Sequence, residues 1–508
     1  MSNTEQLECS PFTELEALDK QDPELDHEIA SPAPAEQSLL DRATSLLIRY
    51  GVETNGIDPI SPSERTDKRL YQMFFVWFST NMNVIAFGGA ASGPAFYGIG
   101  LRDCLIILLI VDFVACIIPA YFAVFGPKLG MRSMVQARYT WGYYGAMLPS
   151  ALNVFSMQGF LIISCIIGGQ LLASVSGGLL NDTLGIVIIS LISLVVTFFG
   201  YRVIHWYESV AWIPNVILFI LMLGVGGKHL AIVPTSPSSA STIITYSTTM
   251  ASSAISWCTM TSDYGVYHDA KASSLRIFSY TFAGFFFSTF IANALGVAFA
   301  ASAVSVPLWA AGFDNGNSVG GLVAAVMSPL ATFGKIVVVL VSLSVPSMCA
   351  PTMYTFSSSL MTISQRFAQI PRYIFVFVSV AILIPVAIEG ALRYYNTFTD
   401  VINIIGYWSV VHGALILMEH AVFRKCDYAA YVLEDWNNPK RLPLGIAATA
   451  TFLCAFGIII PCMNQAWYVG PIAAAGSGDI GIIAGSCAVC ILYPVFRRIE
   501  KRFARQRE

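Results

Sequence analysis

The chain alternates between long apolar stretches and short segments that gather most of its charge. Asp103 to Phe125 and Leu184 to Gly200 carry almost no charge, whereas the segments between such stretches hold most of the lysines and arginines. About 20 apolar residues are what a helix needs to cross the hydrocarbon layer of a bilayer. Candidate runs lie near 70–95, 103–126, 142–175, 184–200, 207–226, 248–268, 277–303, 335–362, 373–392, 398–422, 443–463 and 476–496. They predict an all-α polytopic membrane protein of about twelve transmembrane helices. Residues 304–334 read as a Gly- and Ser-containing loop with a short helix packed across the outside.

Composition supports the pattern. The 508 residues are 56% hydrophobic and only 12% charged, where a soluble domain carries about twice that charge. Residues 1–67 form a polar, acidic segment, expected to be a disordered cytoplasmic tail in which Ser38–Tyr50 is the one candidate amphipathic helix. It has no basic stretch followed by an apolar one, so no cleavable signal peptide is expected. Residues 68–497 form the membrane domain, and 498–508 a basic cytoplasmic tail. Eleven cysteines are present, most of them in apolar runs (Cys116, Cys165, Cys258, Cys454), where they act as small hydrophobes. Cys487-Ala-Val-Cys490 has metal or redox spacing, but it stands in the last run without a histidine or a second pair.

Basic residues set the orientation. Arg65, Lys68 and Arg69 precede the first run; Lys128, Arg132 and Arg138 follow the second; Lys271 and Arg276 follow the sixth. Arg366 and Arg372 follow the eighth, Arg424, Lys425, Lys440 and Arg441 follow the tenth, and Arg497–Arg507 close the chain. An even number of spans puts all of these on one side, with both termini cytoplasmic. The plasma membrane is the expected location. The sequon Asn181-Asp182-Thr183 then falls outside, too near the membrane to be used.

Polar side chains inside spans are costly and line cavities or pathways. They cluster at Ser79–Asn83 and Gly88–Pro94 of the first run and at Ser256–Gly265 of the sixth. The third holds Gln158, Ser164 and Gly168-Gly169-Gln170, and the eighth Ser342, Ser344 and Pro346–Thr352. First pairs with sixth and third with eighth, each five spans apart; spans interrupted at corresponding positions point to inverted repeats around a central site lined by unwound helices. The plainer reading is close helix packing through small residues.

Phe75-Val-Trp-Phe-Ser-Thr-Asn81, Ile167-Gly-Gly-Gln170, Gly200–Glu208 with Trp212-Ile-Pro214, Ser262-Asp-Tyr264 and Pro351-Thr-Met-Tyr354 resemble the fungal purine-cytosine permeases. These belong to nucleobase–cation symport family 1. The resemblance runs from about Arg65 to the end of the last span. It implies LeuT-like inverted five-helix repeats plus two C-terminal helices, and symport of a nucleobase or related small heterocycle, with a proton rather than sodium and no other cofactor. Carried over, Ser79, Asn81 and Trp257 match substrate positions, and Glu208 a carboxylate of proton coupling or gating. Phe160 and Ser164 stand where relatives usually have Trp and Asn, and Met348, Cys349 and Thr352 lie in a segment usually rich in Asn. These departures shift the expected solute toward a less polar or differently substituted ring.

Alternatives remain at single residues. Glu208 is a coupling group or a partner of Arg202 or Arg276; Trp257 stacks on solute or sits at an interface. Asp263 caps the broken helix or pairs with a basic loop. Asp112 faces a neighbour's hydroxyl or serves transport, and His205, His268 and His412 are structural. The alternative cargo is a vitamin-like or secondary-metabolite heterocycle such as pyridoxine or allantoin; a non-transporting sensor is the other alternative. No repeated filter argues for a channel, and neither HExxH nor a P-loop argues for an enzyme or ATP-driven pump. Nothing points to nucleic acid.

Overall fold

The computed structural model describes residues 56–198, 201–230 and 237–505. The candidate helix Ser38–Tyr50 lies outside them. The described residues are helical apart from turns and two isolated bridges. In order, the α-helices of seven or more residues are α1 (Gln72–Asn81), α2 (Val84–Ala90), α3 (Leu101–Phe122), α4 (Ser133–Gly145), α5 (Met147–Val175) and α6 (Asp182–Phe198). There follow α7 (Tyr201–Gly226), α8 (Ala240–Ile255), α9 (Ser274–Ala303), α10 (Pro307–Phe313), α11 (Val319–Met327) and α12 (Ala331–Ser344). The last five are α13 (Pro346–Ile363), α14 (Arg372–Ala391), α15 (Tyr394–Met418), α16 (Ile446–Cys462) and α17 (Gly481–Arg505).

Among the described residues, eight helical runs are long and apolar enough to cross a membrane, with shorter apolar helices at Val84–Ala95, Asp182–Phe198 and Ile446–Cys462. The first expected run is split into α1 and α2, and the sixth winds as α8 only to Ile255. Two features differ from the sequence reading. Residues 133–141, expected as loop, join the start of the third expected run in α4, kinked at Gly142 (φ 73°) where a Cβ would lie 2.3 Å from the Pro443 carbonyl oxygen. Residues 304–334 hold two helices, α10 and α11, whose Trp309, Phe313 and Leu322 are buried. At 7 and 9 residues, both are too short to cross a bilayer.

The third and eighth runs also differ from expectation, because neither is unwound. α5 is continuous, and Val345 keeps helical angles (φ −57°, ψ −39°) between α12 and α13. The joint is marked instead by Pro346, which cannot donate a ladder hydrogen bond. From α7, the Tyr207 hydroxyl donates to the Leu343 carbonyl and Asn215 Nδ2 to Ser344 Oγ (2.8 Å), bracing that joint.

α9 crosses both halves of the broken first span at glycines. A Cβ on Gly284 would meet the Phe74 carbonyl oxygen at 2.6 Å, and one on Gly296 the Phe87 carbonyl oxygen at 2.0 Å. Small residues permit this approach of two backbones.

Three buried carboxylates pin the last three helices. At one end, Glu419 accepts from Tyr493 Oη (2.9 Å) and from Arg497 Nε (3.1 Å) and Nη2 (3.2 Å), and Glu500 Oε1 accepts from the Ile446 amide (3.0 Å). At the other, Asp479 accepts from Tyr407, from the amides of Asn464 (2.9 Å) and Gly481 (3.0 Å), and from Gln465 Nε2 (3.1 Å).

The basic loops meet on one face. Arg65 donates to the carbonyls of Pro127 (2.9 Å) and Lys128 (3.1 Å), and Lys128 Nζ to those of Ala270 (3.1 Å) and Ala272 (2.7 Å). Arg132 Nη2 donates to Tyr354 Oη (2.6 Å), and Arg138 to the Thr362 carbonyl (3.2 Å) and Asn437 (3.1 Å). Asp67 pairs with His268 through the backbone, and hydrogen bonds from Arg69 hold its carboxyl below the usual range.

Gly296→Leu should remove folded protein, since overpacking against a carbonyl that cannot move costs about 3 kcal/mol or more. Gly457→Ala, where a Cβ meets nothing within 4 Å, should leave the yield of monodisperse detergent-solubilised protein unchanged.

Candidate functional site

The two breaks in the helices meet at the centre of the bundle. In the first, Met82 (φ −80°, ψ 71°) leaves the helix and Asn83 is extended, its Oδ1 accepting from the Ala86 amide (2.8 Å) to cap α2. An amide side chain is well suited to this, because the first amides of a helix have no partner of their own. In the second, α8 gives way to tight turns at Ser256–Thr259 and Thr261–Tyr264. Hydroxyls donate back to the carbonyls there: Ser256 Oγ to Ser253 (2.9 Å), Thr259 Oγ1 to Ser256 (3.0 Å) and Thr261 Oγ1 to Trp257 (3.2 Å). This satisfies backbone groups that lipid could not.

Between the breaks lies a cavity of about 50 Å³, lined by Asn81, Asn83, Ala86, Gly89, Phe160, Ile163, Met250, Ser253, Trp257, Phe285, Thr289, Asn293, Met348, Phe398 and neighbours. It has space for on the order of three or four waters. Trp257 stands between aromatic rings: Phe160 is stacked on it (5.6 Å between centroids, 22°), and Trp77 meets it edge-on (5.8 Å, 73°). Phe285 is tilted against it at 6.2 Å and stacks on Trp77 at 4.5 Å. A flat ring inserted between Phe160 and Trp257 needs two contacts of about 3.5 Å each. The two rings must therefore part by more than 1 Å to take one up.

Of the residues singled out from the sequence, Asn81, Phe160, Trp257 and Met348 line the cavity. Asn81 Nδ2 donates to the Trp77 carbonyl (3.0 Å). Met348 Sδ lies within reach of Asn83 Nδ2 (3.7 Å) and Ser164 Oγ (3.8 Å), joining the first, third and eighth runs. Ser164 stands behind Met348 and donates to the Phe160 carbonyl (2.8 Å). Thr352 donates to the Met348 carbonyl (2.7 Å), one turn from the cavity. Cys349 points to Cys165 (4.0 Å between sulfurs), and Ser79 is buried outside the lining. Glu208 lies in α7, and its side chain falls outside the described residues.

Asp263 Oδ1 accepts from the Ser133 amide (2.6 Å), so it caps α4 rather than its own broken helix. Asp112 meets an amide, Asn293, instead of the expected hydroxyl. His412 packs between Trp141 and Trp408. Asn83 belongs to the polar cluster of the first run, but Ser253, Phe285, Thr289, Asn293 and Phe398 were missed as lining residues. An isolated Asn within the apolar run of α9 was the available signal.

A larger cavity of about 550 Å³, lined by Gln170, Asp182, Ser318, Lys335 and neighbours of α5, α11 and α12, has no aromatic ring in its wall. No group of His, Cys, Asp or Glu among the described residues is arranged to hold a metal ion.

Residues 59–470 match the family described as permeases for cytosine/purines, uracil, thiamine and allantoin. The chain is 32% identical over 481 residues to the purine-cytosine permease FCY21 of Saccharomyces cerevisiae, covering 92% of this chain and 90% of that one. It is 30% identical over 469 residues to the purine-cytosine permease fcyB of Emericella nidulans, covering 90% and 91%. Its fold is that of Mhp1, a nucleobase-cation-symport-1 family transporter solved closed with bromovinylhydantoin bound (TM-score 0.64, 15% identity, 89% of this chain and 96% of that one). This likeness bears out the LeuT-like fold read from the sequence.

Trp257→Ala should weaken ligand binding about 5- to 150-fold, the equivalent of a lost stacking contact. Surface expression should stay at the wild-type level; loss of both together would assign Trp257 to folding.

Proposed function

The chain belongs to the family of permeases for cytosine/purines, uracil, thiamine and allantoin, and from that premise we propose that it imports a purine or pyrimidine nucleobase, or a closely related heterocycle, together with a proton. The observation that carries this reading is the aromatic box of Phe160, Trp257, Phe285 and Trp77 beside the amides of Asn81, Asn83 and Asn293. A nucleobase has a π-face and an edge of donors and acceptors, and this cavity offers a surface for each. Stacking supplies affinity and tolerates many rings. The amides supply selectivity, because an unmatched buried polar group costs about 1–3 kcal/mol.

Transport follows from the two breaks. α1 with α2, and α8 with its turns, are each two short pieces that can tilt apart without losing further backbone hydrogen bonds. Opening toward one face admits the ring, closure stacks Phe160 on it, and opening toward the other releases it. The basic face is proposed to be cytoplasmic, with both termini on that side in the plasma membrane, residues 1–67 as an acidic tail and 498–508 as a basic one. Twelve crossings are proposed, in keeping with that asymmetry. The proposed coupling ion is a proton rather than sodium, with Glu208 as its carrier or gate.

Met348 favours a second reading of the cargo. A thioether occupies the position between Asn83 and Ser164 where the resemblance leads one to expect an amide. That suits a less polar or more substituted ring, vitamin-like or from secondary metabolism.

Uptake competition in a yeast strain lacking its own purine-cytosine permease decides between them, with cytosine, adenine, hypoxanthine, uracil, allantoin and pyridoxine as the panel. A nucleobase should be accumulated and an uncoupler should stop it; transport of pyridoxine alone would select the second reading, and binding without uptake a sensor. Glu208→Gln should lose pH-driven accumulation, and an unchanged profile between about pH 5 and pH 8 would reject its role. Met348→Asn should shift preference toward the solute with more donors and acceptors on its edge.

A further inference from the structure

Asp112 lies midway along α3, is 0% exposed, and is absent from the cavity wall. Asn293 Nδ2, from α9, donates to its Oδ2 at 3.0 Å, and Asn293 itself lines the cavity. Asp112 Oδ1 is buried without a partner. The carboxylate is thus separated from the cavity by one amide side chain.

Its surroundings differ from those of the other buried acids. Glu419 has a guanidinium and a phenol, and Asp479 has a phenol, a side-chain amide and two backbone amides. Among the described residues, Asp112 has one neutral donor and no cation. The titratable groups near it are Cys116, one turn along α3, and Tyr246 of α8, whose hydroxyl donates to the Ala90 carbonyl (3.0 Å). On α9, Arg276 and Tyr280 are 13 or more residues before Asn293, about 20 Å along the helix. An ionised carboxylate is acceptor-only with about four lone-pair sites, whereas a protonated one also donates. Burying the ionised form without a cation costs several kcal/mol.

We propose that Asp112 takes up and releases a proton during the transport cycle, and that its state sets which end of the Asn293 amide faces the central cavity. When Asp112 is ionised, it requires the Asn293 NH2 group, and the amide oxygen is turned to the cavity as an acceptor. When Asp112 is protonated, its O–H donates to the Asn293 oxygen, and the NH2 group turns to the cavity as a donor. The proton comes from hydronium on the side to which the cavity is open, whose O–H bond breaks as the carboxyl O–H forms, and it leaves to water on the other side, where the carboxyl O–H breaks as hydronium re-forms. Asp112 is a positioning residue, because it acts on the solute through Asn293. The proposal rests on the reading of the central cavity as the solute site.

The test uses the full-length protein in lipid vesicles. Infrared difference spectra between about pH 5 and pH 8 should show the carbonyl band of a protonated buried carboxyl. Asp112→Asn should abolish that band and Asn293→Ala should shift it. Absence of the band from the wild-type protein, or its indifference to Asn293→Ala, overturns the proposal, whether or not Asp112→Asn folds. In the second arm, Asp112→Asn should keep exchange of radiolabelled cytosine or hypoxanthine and lose pH-driven accumulation; retained pH-driven accumulation overturns the proposal. The infrared arm needs no solute. Failure of every base to be taken up therefore counts against the substrate reading and leaves the band to decide on Asp112.

Discussion

A helix that stops midway across a hydrocarbon layer leaves amides and carbonyls that only the protein can satisfy. The rest of this structure is arranged around that constraint. Asn83 caps the restart of the first span, and the hydroxyls of Ser256, Thr259 and Thr261 fold back on the turns of the sixth. Close packing follows from the same need. α9 lies against both halves of the first span at Gly284 and Gly296, which excludes lipid from the break and brings Thr289 and Asn293 to the cavity. The polar groups that make unwinding tolerable are thus the ones that give the cavity its chemistry.

The parts expected to move are set against parts that are fixed. Glu419 with Arg497, and Asp479 with Tyr407 and Gln465, tie α15, α16 and α17 together at both ends, every carboxylate being supplied with several donors. The central elements are joined more weakly, by a thioether, single hydroxyls and stacked rings. Such contacts can exchange partners at small cost, which alternating access requires of them.

Much of this was legible in the sequence. Apolar run length disclosed the membrane helices, and the clusters Ser79–Asn83 and Ser256–Gly265 marked the two breaks, because hydroxyls and amides are rare in a span unless the backbone needs them. The basic loops were assigned to one face, and in the structure Arg65, Lys128, Arg132 and Arg138 join those loops to each other. α4 and the second of the two helices in 304–334 leave no such mark, because they are too short or too polar to stand out as a span. The third and eighth runs looked broken through their glycines and prolines, yet Gly168 and Pro346 serve packing and a joint. Asn293 and Asp112 stand on different helices, and no spacing along the chain announces that they meet.

The position of Met348 has a consequence for how the family's range of cargo could drift. Its sulfur is a weak acceptor on a flexible stem, shared between Asn83 and Ser164 at distances where neither depends on it. A residue there can be exchanged without unseating the caps and joints that hold the bundle, since those use other atoms. With the central cavity proposed as the solute site, selectivity is a separable module in that proposal. One substitution can retune which ring is welcome, while the machinery that carries it across stays as inherited.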